Sequence, residues 1–214
     1  LPIDLPNPNS KDYWTNIVPF LEQCIHISKG GVFVLCTSYR ALQTLYDQCS
    51  ALLGERYAFF KQGEMGRTQL LQAFVKTPRS VLFGADSFWE GVSVPGDDLK
   101  MVIIPRLPFR VPSEPVHQAR HERIVAQGGN PFQEYSLPQA ALRLRQGFGR
   151  LIRTQRDKGS VVILDNRVTR AWYGSYFLHS LPEMRRVQLP AGETLHALND
   201  FHNPKPVEVP VNIG

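Results

Sequence analysis

Five short apolar runs, each set apart from the next by a stretch with helical spacing or by a glycine- and proline-rich loop, constrain this chain more than any other feature. The runs are residues 32–37 (VFVLCT), 57–60 (YAFF), 80–83 (SVLF), 101–104 (MVII) and 161–164 (VVIL). They have strand length and little alternation, the pattern of strands covered on both faces. Helical spacing recurs at 11–30, where Ile17, Phe20, Leu21 and Cys24 share a stripe. It recurs at 39–53, with Leu42, Leu45 and Cys49 on one face and Gly54 as a stop, and at 68–75. Further helices are expected at 115–126, ended by Gly128 and Gly129, at 138–152, opened by Pro138, and at 169–178. This order predicts an α/β fold of three layers around a mostly parallel central sheet. Ligands of such sheets gather at the carboxyl ends of the strands. Residues 84–98 (GADSFWEGVSVPGDD) leave a strand at that edge and fit no period, so they read as a loop around Asp86, Trp89 and Glu90. The helix at 138–152 leads into the strand at 161, which directs its C-terminal half to the opposite edge unless the chain turns back. Residues 1–30 read as a linker, with three prolines in the first ten, and a leading helix; 31–189 read as the domain, and 190–214 as a Pro-rich, weakly patterned tail.

Several classes are set aside by what the chain contains. No apolar run approaches the ~20 residues of a membrane-spanning helix. No charged-then-apolar leader opens the sequence, so the expectation is a soluble, cytoplasmic protein with no membrane partner. Cys24, Cys36 and Cys49 have no CxxC spacing, and three thiols do not complete a four-Cys zinc or iron–sulfur site, so no metal ligands are assigned. They read as reduced, small hydrophobic residues.

The net charge of +5 is uneven. Residues 101–160 hold ten Arg or Lys, nine of them Arg, against four acids, a local charge of +6. Arginine suits bidentate phosphate recognition, but a solvated helix face is an equal reading of the charge alone. Within this block, 146–153 read QGFGRLIR. Leu137, Ala141, Leu144, Phe148 and Leu151 form the apolar stripe of its helix, while Gln146, Arg150 and Arg153 fall at i, i+4 and i+7 on a neighbouring face, with Arg143 extending the row. Such a row can neutralise charge on a transferring phosphate, or it can be a surface row with salt bridges. Gly147 and Gly149 cost a helix about 1 kcal/mol each relative to Ala, which points to close approach by another group. The chain has no G-x-x-x-x-G-K-[ST] phosphate loop and no acidic pair after a strand to hold magnesium. It therefore has arginines for a phosphate without a cradle for one.

Four segments in order resemble the second RecA-like domain of superfamily 2 helicases of the XPD/DinG type. QGFGRLIR is similar to motif VI, QxxGRxIR; SFWEGVSVPGDDL at 87–99 is similar to motif V; VIIPRLPF at 102–109 is similar to the segment after it; and VFVLCTSYRAL at 32–42 is similar to motif IV. The resemblance covers about residues 30–182 and leans to the bacterial DinG branch. It implies a RecA-like domain of an ATP-dependent DNA helicase. Arg150 and Arg153 would then be arginine fingers for ATP bound with Mg2+ mainly by a first domain absent here, and Gln146 would bind the nucleotide or place the attacking water. Asp86, Glu90, Gly91 and Gly149 would serve the nucleotide side. Thr37, Ser38, Tyr39, Ser87 and Trp89 would contact single-stranded DNA, although Trp89 is also readable as a core aromatic. The implied partners are single-stranded DNA and the N-terminal RecA-like domain of the same protein. The family's iron–sulfur cysteines and first-domain motifs are absent from this chain, so it is expected to be inactive in ATP hydrolysis alone. Two alternatives remain at this stage: the C-terminal part of a DinG-like 3′-5′ exonuclease, and a non-catalytic nucleic-acid-binding module.

Overall fold

The computed structural model describes residues 1–89, 98–110, 115–149 and 158–204. Five strands form one all-parallel sheet in the order β2-β3-β1-β4-β5. They are β1 (Val32–Leu35), β2 (Ala58–Lys61), β3 (Ser80–Gly84), β4 (Met101–Ile104) and β5 (Ser160–Ile163). The pairing is in step across the centre, with Val32 opposite both Val81 and Met101. β1, β3 and β4 are buried throughout, which is why they lack alternation in sequence. The edge strand β2 is half-exposed along its length.

Successive side chains on a strand point to opposite faces, so each strand feeds two cores. One face carries Val32, Val34, Val81, Phe83, Met101, Ile103 and Val162. It packs on α1 (Tyr13–Ser28) and α2 (Tyr39–Leu53), with partly buried residues of α8 (Ala191–His202). The other face carries Phe33, Leu35, Leu82, Val102, Ile104 and Ile163. It packs on α3 (Arg67–Lys76), α5 (Leu137–Phe148) and α7 (Gly174–Ser180). Between these lie α4 (Pro115–Ala126), which buries no residue, and the short α6 (Arg167–Arg170). Gly30 shows why the entry to β1 is glycine: it takes φ +90°, and a Cβ there would sit 2.6 Å from the carbonyl carbon of Arg79.

Two segments depart from the sequence reading. The first residues, which lack any period, are tied down by contacts far along the chain. Pro2 pairs with Leu189, the Ile3 N–H donates to the Leu189 carbonyl at 3.0 Å, and Leu5 is buried with its carbonyl accepting from Asn166 Nδ2 at 2.8 Å. The stretch read as a weakly patterned tail contains α8, whose Ala191, Leu195 and Leu198 pack against the first core. Among the described residues no helix is long and apolar enough to cross a membrane.

Candidate nucleic-acid and nucleotide-facing site

The carboxyl edge of the sheet is built from the ends of β1, β2 and β3. Thr37, Ser38 and Tyr39 follow β1. Ser38 caps α2, its Oγ accepting from the Ala41 N–H at 3.2 Å, which is the expected use of a serine at a helix start. Ser38 and Tyr39 are exposed, Tyr39 at 52%, and Thr37 is half-buried. After β3 the chain makes a short 3₁₀ turn, Asp86–Phe88. Asp86 takes φ +36°, a left-handed conformation that Asp tolerates better than most residues. The turn buries Phe88 and leaves Asp86 and Ser87 exposed.

Gln62, immediately after β2, connects these pieces. Its Oε1 accepts from the Ala85 N–H at 2.7 Å, and its Nε2 donates to the Tyr39 hydroxyl and to Ser87 Oγ, the latter at 3.3 Å. Sequence reading missed Gln62. The available signal was its place between a strand and Gly63, where a parallel sheet presents its loops to ligands.

Trp89 is a core residue. It is fully buried, its Nε1 donates to the Cys36 carbonyl at 2.7 Å, and the Arg143 guanidinium lies 5.5 Å from its ring centre. A ring with no exposed surface does not stack on a base, so the expected base contact by Trp89 is replaced by the core reading. The same ring explains Gly147: a Cβ there would sit 2.8 and 2.9 Å from Trp89 Cζ3 and Cε3 and 3.1 Å from Leu35 Cδ1. The glycine in mid-motif is thus required by a close aromatic neighbour. Gly149 differs. It is exposed at the C-cap of α5, where a Cβ would meet only ordinary contacts.

These contacts also settle where α5 lies. Leu35 ends β1 and Trp89 follows β3, so the Gly147 end of α5 sits at the carboxyl edge and not at the opposite one. Arg143 is 6% exposed and does not extend a solvent-facing row: its Nη2 donates to Asp86 Oδ1 at 3.2 Å and to the Asp86 carbonyl at 3.3 Å. Gln146, one turn on, is half-buried. Arg150, Arg153, Glu90 and Gly91 lie outside the described residues.

The rest of the basic block divides by role. Arg106 serves the fold, donating to the Pro8 carbonyl and stacking 4.4 Å from the Trp14 ring centre, and burial lowers its pKa. Arg120 and Arg123 are exposed on α4, with Arg120 5.2 Å from the Tyr135 ring centre. Asp165, also missed, is fully buried after β5. It accepts from the Leu107 N–H at 2.8 Å and from Arg167 Nη2 at 2.6 Å, joining the segment after β4 to the end of β5. All three cysteines are buried, and burial raises each thiol pKa, that of Cys49 to about 12.

Residues 21–184 match the helicase C-terminal domain family. The chain belongs to that family. This helicase C-terminal domain is 43% identical over 191 residues to the ATP-dependent DNA helicase YoaA of Haemophilus influenzae, covering 88% of the chain and 29% of that protein. It is 42% identical over 166 residues to the 3′-5′ exonuclease DinG of Bacillus subtilis, covering 76% of the chain and 18% of that protein. Among solved structures, an XPD helicase superposes with a TM-score of 0.68 at 18% identity, over 88% of this chain and 34% of that one. The helicase domain therefore spans less than a third of the length of these curated relatives, and the XPD likeness is one of fold.

Proposed function

We propose that this chain is the second motor domain of an ATP-dependent DNA helicase of the DinG/XPD type. ATP would bind between it and a first RecA-like domain of the same protein. Arg150 and Arg153 would reach the γ-phosphate, where two planar cations neutralise developing charge, and Gln146 would place the nucleotide or the attacking water. Glu90, Gly91 and Gly149 would serve the same nucleotide side. Magnesium would come with the nucleotide on the first domain. Among the described residues there is no group of three or more His, Cys, Asp or Glu that could hold a metal.

Single-stranded DNA would run along the carboxyl edge, its phosphates contacted by Thr37, Ser38, Tyr39 and Ser87. A helix start with neighbouring hydroxyls favours phosphate over base contact. The reading rests above all on one observation: the turn after β3 touches both that edge and α5, through Gln62 on one side and Arg143–Asp86 on the other. A change at the nucleotide end of α5 would then be felt where DNA is held.

The test is Arg150→Ala in the full-length protein. DNA-stimulated ATPase should fall about 1,000-fold or more, on the order of a lost arginine finger, with single-stranded DNA affinity within about twofold of the parent. Turnover near the parent value refutes the arginine-finger role. The name of the Bacillus relative favours a second reading, that the domain accompanies a 3′-5′ exonuclease. Digestion of single-stranded DNA without ATP, and no ATP-driven unwinding, would select it. DNA affinity from the isolated chain equal to that of the full-length protein would instead select a simple binding module.

A further inference from the structure

Gln62 is placed to do more than end a strand. Its own N–H donates to the Phe83 carbonyl at 2.9 Å, so its backbone is held in the sheet ladder while its side chain points along the carboxyl edge. The Ala85 N–H can only donate, which identifies the amide atom facing it as oxygen. The amide nitrogen, with two hydrogens, is left to serve two oxygens, and two are present: the Tyr39 hydroxyl and Ser87 Oγ. Donor and acceptor capacity are therefore matched across three separate chain segments: the start of α2, the end of β2 and the turn after β3.

That turn is gripped from its other side as well. Arg143 on α5 meets both the carbonyl and the carboxylate of Asp86, and the Trp89 indole is pinned to the Cys36 carbonyl. A continuous line of polar contacts thus runs from Tyr39 through Gln62, Ala85–Ser87 and Asp86 to Arg143. We infer that Gln62 is a positioning residue: it orients Tyr39 and Ser87 toward the bound strand and couples them to the helix that carries Gln146. The inference rests on the proposed DNA-facing role of this edge. Leucine is one bond shorter than glutamine but of similar volume, with none of its donors or acceptors, so it removes the coupling without opening a large space.

The test uses the full-length protein with Gln62→Leu, Tyr39→Phe and the pair. The readouts are the concentration of single-stranded oligonucleotide giving half-maximal ATPase, the KM for ATP, and the melting temperature. Gln62→Leu should raise the half-maximal DNA concentration about three- to tenfold, the range of one uncharged hydrogen bond. The KM for ATP should stay within twofold. In the Tyr39→Phe background the same change should have a clearly smaller effect, because one of its partners is already gone. An unchanged DNA requirement, or an equal effect in both backgrounds, overturns the role. So does a parallel rise in both constants with a large fall in melting temperature, which marks a merely structural residue. If the parent enzyme shows no stimulation by single-stranded DNA, the DNA reading of this edge fails first, and this role falls with it.

Discussion

Gly147→Ala separates local propensity from tertiary packing, because the two predict opposite signs. Gly147 lies in the last turn of α5, where replacing Gly with Ala favours the helix by at most about 1 kcal/mol. The added methyl would stand 2.8 and 2.9 Å from two ring carbons of Trp89, against a preferred carbon–carbon separation of about 3.5–4.0 Å. The ring has nowhere to go. It is fully buried, its Nε1 is held 2.7 Å from the Cys36 carbonyl, and Arg143 covers it. Leu35 Cδ1, at 3.1 Å from the new methyl, closes the other side. Overpacking of this kind costs about 1–3 kcal/mol. The net expectation is a loss of about 1–2 kcal/mol, or roughly 2–8 °C in melting temperature for a chain of this size. Thermal and urea unfolding of the chain measure it. A second arm adds Trp89→Phe, whose smaller ring withdraws the two crowded carbons, so Gly147→Ala should be nearly neutral or stabilising in that background. A stabilised single variant, or the same penalty in both backgrounds, refutes the packing argument.

Three further outcomes follow from the buried polar groups and thiols. Asp165→Ala leaves Arg167 and the Leu107 N–H without their buried acceptor and should cost about 3–5 kcal/mol, read as a fall in melting temperature. Cys24, Cys36 and Cys49 should be unreactive toward a thiol reagent at pH 8 in the native chain and all titrate after denaturation, since burial raises each pKa. His202 accepts or donates at 2.8 Å to Ser160, and burial, then the Lys100 charge, lower its pKa. Its unfolded form binds more protons below about pH 6.5, so stability should fall as pH drops through that value; His202→Gln should flatten the melting-temperature profile between pH 7 and 5.

The sequence alone determined the layered α/β class, the approximate place of every strand, and the domain's family through its four ordered motifs. These are local signals. A strand buried on both faces must be apolar throughout, and a helix must repeat its apolar face every three or four residues, whatever surrounds it. The need for glycine at 147 was legible in the same way, as an unexplained helix cost. What the sequence could not decide was who meets whom. Trp89 and Gly147 are neighbours only because the chain returns across the sheet, and this turned a residue open to two readings into a core aromatic. The same return brought α5 to the carboxyl edge, paired Arg143 with Asp86, and made Gln62 the joint between three strand ends. It also ordered the proline-rich first residues against Leu189 and folded α8 onto α1. Each of these rests on contacts between positions far apart in the chain. No local period encodes them, and only the assembled sheet with its two helical layers holds them together.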